Sequence, residues 1–123
     1  MGIRFRNVIL LTSDIEKSKN FYCNIIGLSI KQDFKTFVLF EGNFSIHTAD
    51  LFYEYIDKQY HGEKMGQNNL DLYFSTSDLL SMQEKLKDAG IPFIHEIRKQ
   101  AWGESIIRIY DPDGHIVEIG DAD

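Results

Sequence analysis

Asp111-Pro112-Asp113-Gly114-His115-Ile116-Val117-Glu118 is the stretch that decides how this chain folds. Asp-Pro-Asp-Gly is a tight-turn sequence: proline presets φ at its second position, and glycine at the fourth accepts dihedrals that other residues resist. Strand-like runs flank it, Ser105–Tyr110 before and His115–Ile119 after, so the unit reads as a β-hairpin. Side chains alternate along a strand, which sends Val117 and Ile119 to one face and Ile116 and Glu118 to the other. A carboxylate at 118 must then face water, a partner or a metal, because an unpaired buried charge is prohibitively costly.

Working back from that hairpin, the second half of the chain repeats the first. Asn7-Val8-Ile9-Leu10-Leu11-Thr12-Ser13-Asp14-Ile15 is echoed by Asp71-Leu72-Tyr73-Phe74-Ser75-Thr76-Ser77-Asp78-Leu79, with Thr-Ser-Asp identical in both. Each echo reads as a strand followed by an acidic helix cap. After Asp14, Ile15, Ser18, Tyr22, Ile25 and Ile26 fall at helical spacing, and Gly27 stops the helix. After Asp78, Leu79, Met82, Leu86 and Ala89 do the same, and Gly90 stops it. Three strands are expected after each helix: 28–34, 36–41 and 43–48 in the first copy, 91–98, 104–110 and 115–120 in the second. Each copy is therefore β-α-β-β-β. Neither is long enough to bury its own sheet, so the halves are expected to pair within one α+β domain, 1–123. The modules span about 1–49 and 68–123, and 50–67 is a connection with a short apolar helix face at Leu51, Phe52, Tyr55 and Ile56.

Composition narrows the function classes. A hydrophobic share of 43% is that of a soluble globular protein, and a formal charge of −6 argues against nucleic acid or an anionic membrane as partner. Arg4, Arg6, Arg98 and Lys99 are scattered in ones and twos and read as solvated. The single cysteine, Cys23, rules out an internal disulfide and fits a reducing compartment. With no long apolar run and no leader, the chain reads as cytoplasmic. His61, His95 and His115 read as surface residues, and Arg108, inside an apolar strand, is expected to pair with an acid.

The repeated module, the Ser13-Asp14-Ile15 opening with Phe21-Tyr22 and Gly27-Leu28, and the closing Asp-Pro-Asp-Gly-His-Ile-Val-Glu together resemble the vicinal-oxygen-chelate superfamily. This is the glyoxalase, bleomycin-resistance and extradiol-dioxygenase group, and the resemblance covers essentially the whole chain. It implies a cup-like mixed sheet around a cavity, a homodimer, and in many members a divalent metal. The family's ligand places, in the first and last strand of each module, fall here on Asn7, His47, Asp71 and Glu118. Glu118 matches the family's final glutamate. Asp71 stands where histidine or glutamate is usual, and Asn7 where histidine or glutamine is usual. His47 requires one extra residue in the first hairpin, since counting from Gly42 and Gly114 pairs Glu118 with Ile46.

Two functions follow from that resemblance. With His47, Asp71 and Glu118 as ligands, a Ni, Zn, Mn, Fe or Mg ion would stabilise an enolate or oxyanion as a Lewis acid, with Glu118 as the catalytic base of a lyase or isomerase. The set lacks two histidines, which disfavours ring-cleaving iron chemistry. The alternative is a non-catalytic, bleomycin-resistance-type binder. Its acidic, aromatic cavity, with Asn7, Tyr73 and Trp102 beside the acids, would hold a cationic or polar planar small molecule.

Overall fold

The computed structural model describes residues 2–121 and divides into two compact units, 1–65 and 66–123. Each unit is a four-stranded mixed sheet with helices on it, so the class is α+β as expected.

In the first unit β1 (Val8–Thr12) leads into α1 (Ile15–Asn20), and β2 (Ile30–Asp33), β3 (Phe37–Phe40) and β4 (Phe44–Thr48) follow. The sheet order is β1-β4-β3-β2, with β1 and β4 parallel and the other pairs antiparallel. Asp14 caps α1 by accepting the amide of Lys17 at 3.2 Å. The helix continues as a π turn, Phe21–Ile26, which ends at left-handed Gly27. That wider turn shifts the helical phase. Phe21 and Tyr22 therefore both turn inward, while Ile25 and Ile26, expected in the buried stripe, are only half-buried. Tyr22 packs edge-on to Phe44 and tilted against Phe40, over a buried layer of Leu10, Val38 and Ile46. The hydroxyls of Thr12 and Ser18 meet beneath the helix. A second helix, α2 (Ala49–Tyr55), begins directly after β4, so part of the expected connection is structured.

The second unit repeats the plan. Strand β5 (Asp71–Ser75) leads into α3 (Leu79–Asp88), and β6 (Phe93–Lys99), β7 (Ser105–Tyr110) and β8 (Ile116–Gly120) pair in the order β5-β8-β7-β6. Asp78 caps α3 through the Ser81 amide at 3.1 Å. Leu79 and Leu86 on the helix and Ile107, Ile109, Val117 and Ile119 on the sheet are buried. Burying an aliphatic side chain of this kind contributes about 1.5–3 kcal/mol, so this layer carries most of the unit's stability.

The Asp111–Gly114 turn forms as read. Gly114 has φ 84°, and its amide donates to the Asp111 carbonyl. The Asp111 carboxylate accepts the amides of Asp113 and His115, both at 2.9 Å. His115 is buried, 7% exposed, which corrects the expectation of a surface histidine: the turn folds its ring inward. Gly66 packs so closely on this turn that a Cβ there would lie 2.1 Å from the Gly114 carbonyl carbon.

Candidate functional site

Strand pairing sets the chemistry of the second sheet's open face, the face away from Val117 and Ile119. Tyr73 lies opposite Glu118, Glu118 opposite Arg108, and Arg108 opposite His95, so one row crosses all four strands. Within it Arg108 Nε donates to Glu118 Oε1 at 2.9 Å. Arg108 Nη1 lies 3.0 Å from His95 Nε2 and donates to Gln100 Oε1 at 3.2 Å. The expected acid partner of Arg108 is thus Glu118 itself, only 8% exposed, and a guanidinium offers the planar donor fork such a carboxylate needs. His95, read as a surface residue, is half-buried and part of this network.

Asp71 sits two residues before Tyr73, on the same face as Glu118. Its carboxyl is pushed up to about 6, first by lost hydration, then by hydrogen bonding to Glu118 and by that group's charge, while Arg108 pulls it down. The pair therefore holds a proton more tightly than a free aspartate would. Beside it, Glu104 binds two aromatic side chains at once. Tyr73 Oη donates to Glu104 Oε2 at 2.6 Å, and Trp102 Nε1 donates to Oε1 at 3.1 Å. That first bond is the main cause that pushes the Tyr73 phenol up to about 12, so Tyr73 remains a donor. Both rings stay open to solvent, 52% and 64% exposed. A side chain at Gly120 would crowd the Tyr73 hydroxyl at 2.9 Å, so the glycine leaves room for that ring.

His47 and Asn7 belong to the first unit. His47 is buried among rings: Phe37 at 5.7 Å and Phe52 and Tyr55 of α2 both at 5.4 Å. Its Nδ1 lies 2.9 Å from the Thr48 carbonyl oxygen. Asn7 Oδ1 accepts the Ser45 hydroxyl at 3.1 Å. The register also corrects the sequence count. Ile9 and Tyr73 are equivalent in the repeat; Ile9 lies opposite Ser45 and Tyr73 opposite Glu118. Ser45, neither Ile46 nor His47, therefore stands in the Glu118 place, and His47 follows two residues later on the same face.

So the structure brings Asp71, Tyr73 and Glu118 together and sets Trp102 beside Tyr73 through Glu104. Glu104, His95 and Gln100 are the members that sequence reading missed, whereas the pairing of Arg108 with an acid was expected. Arg108 alone carried a signal, as a charge inside an apolar strand. Among the described residues, no group of three or more His, Cys, Asp or Glu side chains is arranged to hold a metal ion. The donor set also fits a dication poorly, because one Glu118 oxygen already faces a guanidinium, whose charge would repel a cation there.

A family model described as a glyoxalase-like domain matches residues 5–122. A solved structure from Agrobacterium tumefaciens str. C58, described as a protein of unknown function, is 39% identical with a TM-score of 0.92, covering 99% of this chain and 96% of its own. A glyoxalase/bleomycin resistance protein/dioxygenase from Nocardioides is 22% identical with a TM-score of 0.74, covering 98% of this chain and 83% of its own. A lactoylglutathione lyase from Agrobacterium tumefaciens is 19% identical with a TM-score of 0.68, covering 98% and 94%. These last two share the fold. No curated protein matches the sequence.

Proposed function

Since the chain belongs to the glyoxalase-like domain family, we propose that it is a binder of the bleomycin-resistance type, sequestering a planar, cationic small molecule on the open face of its second module. The observation that supports this most is Glu104, which fixes two solvent-open rings, Tyr73 and Trp102, beside the Asp71–Glu118 acid pair. Rings held in place stack a flat ligand at little entropic cost, and the adjacent carboxylates favour a positive charge on it. The lyase or isomerase reading would need Glu118 free to coordinate a metal or take a proton. One of its two oxygens, Oε1, is instead held by Arg108.

Trp102 is the sole tryptophan, so its fluorescence reports directly on the site. N-methylquinolinium should bind saturably in calorimetry and quench that fluorescence, and neutral quinoline should bind at least about tenfold more weakly. Glu104→Gln and Tyr73→Leu should each weaken the cation severalfold. Equal affinity for cation and neutral analogue would sink the reading. So would a stoichiometric Mn, Ni or Zn ion that Glu118→Gln removes and Asn7→Ala spares, or robust turnover of a glutathione hemithioacetal. A homodimer is part of the same proposal, supported by large exposed apolar side chains including Leu80, Ile94 and Ile97. Light scattering at micromolar concentration should return twice 14.3 kDa, and a monomer mass would refute it.

A further inference from the structure

The first module carries a site of opposite character. Its sheet face, with the segment leading into β1, forms a groove of about 590 Å³, within the usual range of about 300–1,000 Å³ for ligand pockets. Ile9 and Leu39 lie on that face and, with Phe37, give the groove an apolar lining. Arg4, Arg6 and Lys31 line it too, against one acid, Glu41. None of these three cations has an ion-pair or hydrogen-bond partner among the described residues. In a chain of net charge −6, three such cations against one acid give this groove a lining of net positive charge. Low-dielectric walls focus the field of those charges into the groove.

We propose that this groove binds an amphipathic organic anion, an aromatic carboxylate whose ring lies on Ile9, Phe37 and Leu39 and whose carboxylate is met by Arg4, Arg6 and Lys31. Apolar contact supplies the area, and a guanidinium matches a carboxylate in a planar, two-point geometry. Asn7, half-buried in the same groove, offers the amide of its side chain as a further donor, since its Oδ1 already accepts from Ser45. The groove's cations would select the charge opposite to that favoured by the acidic face of the second module.

Naphthalene-2-carboxylate, 2-naphthylmethanol and 2-naphthylmethylammonium form a set of probes that differ in charge on one ring system. Titrated into the full chain by calorimetry, the carboxylate should bind at least about tenfold tighter than the alcohol, and the ammonium weakest. Its affinity should fall as salt rises from roughly 50 to 500 mM, since the cations are solvent-open. Arg4→Gln/Arg6→Gln/Lys31→Gln should weaken the carboxylate about tenfold or more and leave the alcohol within about twofold. Lys58→Gln/Lys85→Gln, which removes two cations elsewhere, should change neither. All these substitutions lie outside the buried core, and unchanged circular dichroism checks the fold. Equal binding of carboxylate and alcohol, wild-type carboxylate affinity in the triple variant, or no binding of the carboxylate at millimolar concentration would each overturn the proposal.

Discussion

The two modules share one plan and differ in what they place on the open sheet face. On the helix side, equivalent positions carry equivalent chemistry: Leu10 and Phe74, Phe44 and Val117, Ile46 and Ile119 are apolar in both. On the other side Leu39 faces Ser45 in the first module, and Arg108 faces Glu118 in the second. The helix side must be apolar because it holds the unit together. The open face is free to be an apolar groove edged with cations in one copy and an acidic, aromatic face in the other. Repeating a scaffold thus duplicates the constraint on packing without duplicating the ligand chemistry.

The sharpest way to break this comparison is to give the second module the first module's pair. Arg108→Leu alone strips the counter-charge from a nearly buried carboxylate, and should cost about 3 kcal/mol in urea unfolding. Arg108→Leu/Glu118→Ser recreates the Leu39–Ser45 combination and should recover to within about 1 kcal/mol of wild type. A double variant as unstable as the single one would show that the pair supports the fold through something other than mutual charge.

Next comes the close backbone approach on the second hairpin. Nothing lies within 4 Å of where a Cβ on Gly42 would stand, whereas one on Gly66 would meet the Gly114 backbone at 2.1 Å. Backbone cannot rotate aside as a side chain can. Gly66→Ala should therefore cost about 2 kcal/mol and loosen the Asp111–Gly114 turn, whose Asp113 carbonyl accepts the Gly66 amide at 3.0 Å. Hydrogen exchange at the amides of Asp113 and His115 should rise in the variant. Unchanged protection there would mean that the turn holds itself.

How much of this was legible beforehand follows from the same contrast. The repeat, both helix caps, the turn at Asp111–Gly114 and the shared face of Asp71 and Glu118 rest on local rules and on the two-residue period of strands, so the sequence carried them. The first-module counterpart of Glu118 did not follow from counting. Three residues separate β3 from β4 and five separate β7 from β8, so the turn glycines do not mark equivalent places. Glu104 and Gln100 flank the turn that joins β6 to β7, and their contacts depend on where that turn folds back. The groove at Arg4, Arg6 and Lys31 joins residues from the start of the chain and from β2, and only the sheet brings these scattered charges together. The π turn at Phe21–Ile26 likewise moved the buried stripe by a step that an ideal helical period does not contain.

The smallest expected effect concerns Asp71, whose counterpart Asn7 cannot titrate. A carboxyl held at about 6 in the folded protein against an ordinary value of 3.8 binds its proton more tightly when folded. Between those two pH values the folded state carries more protons than the unfolded one, so the Asp71 contribution to stability falls as pH rises through that window. Below it the contribution is unchanged, and above it the full loss persists. Asp71→Asn copies the first module's residue and removes the slope. The variant should match wild type near pH 3.5 and exceed it at pH 7.5. The gain should stay below about 1 kcal/mol, because Asp71 is exposed and solvent screens the repulsion. Carbon NMR of the Asp71 carboxyl gives the direct reading, with a midpoint near 6 that drops in Glu118→Gln, since Glu118 supplies both the hydrogen bond and the charge that raise it. A midpoint at the ordinary aspartate value in the wild type would show that the two carboxylates do not share a proton, and that Arg108 alone satisfies Glu118.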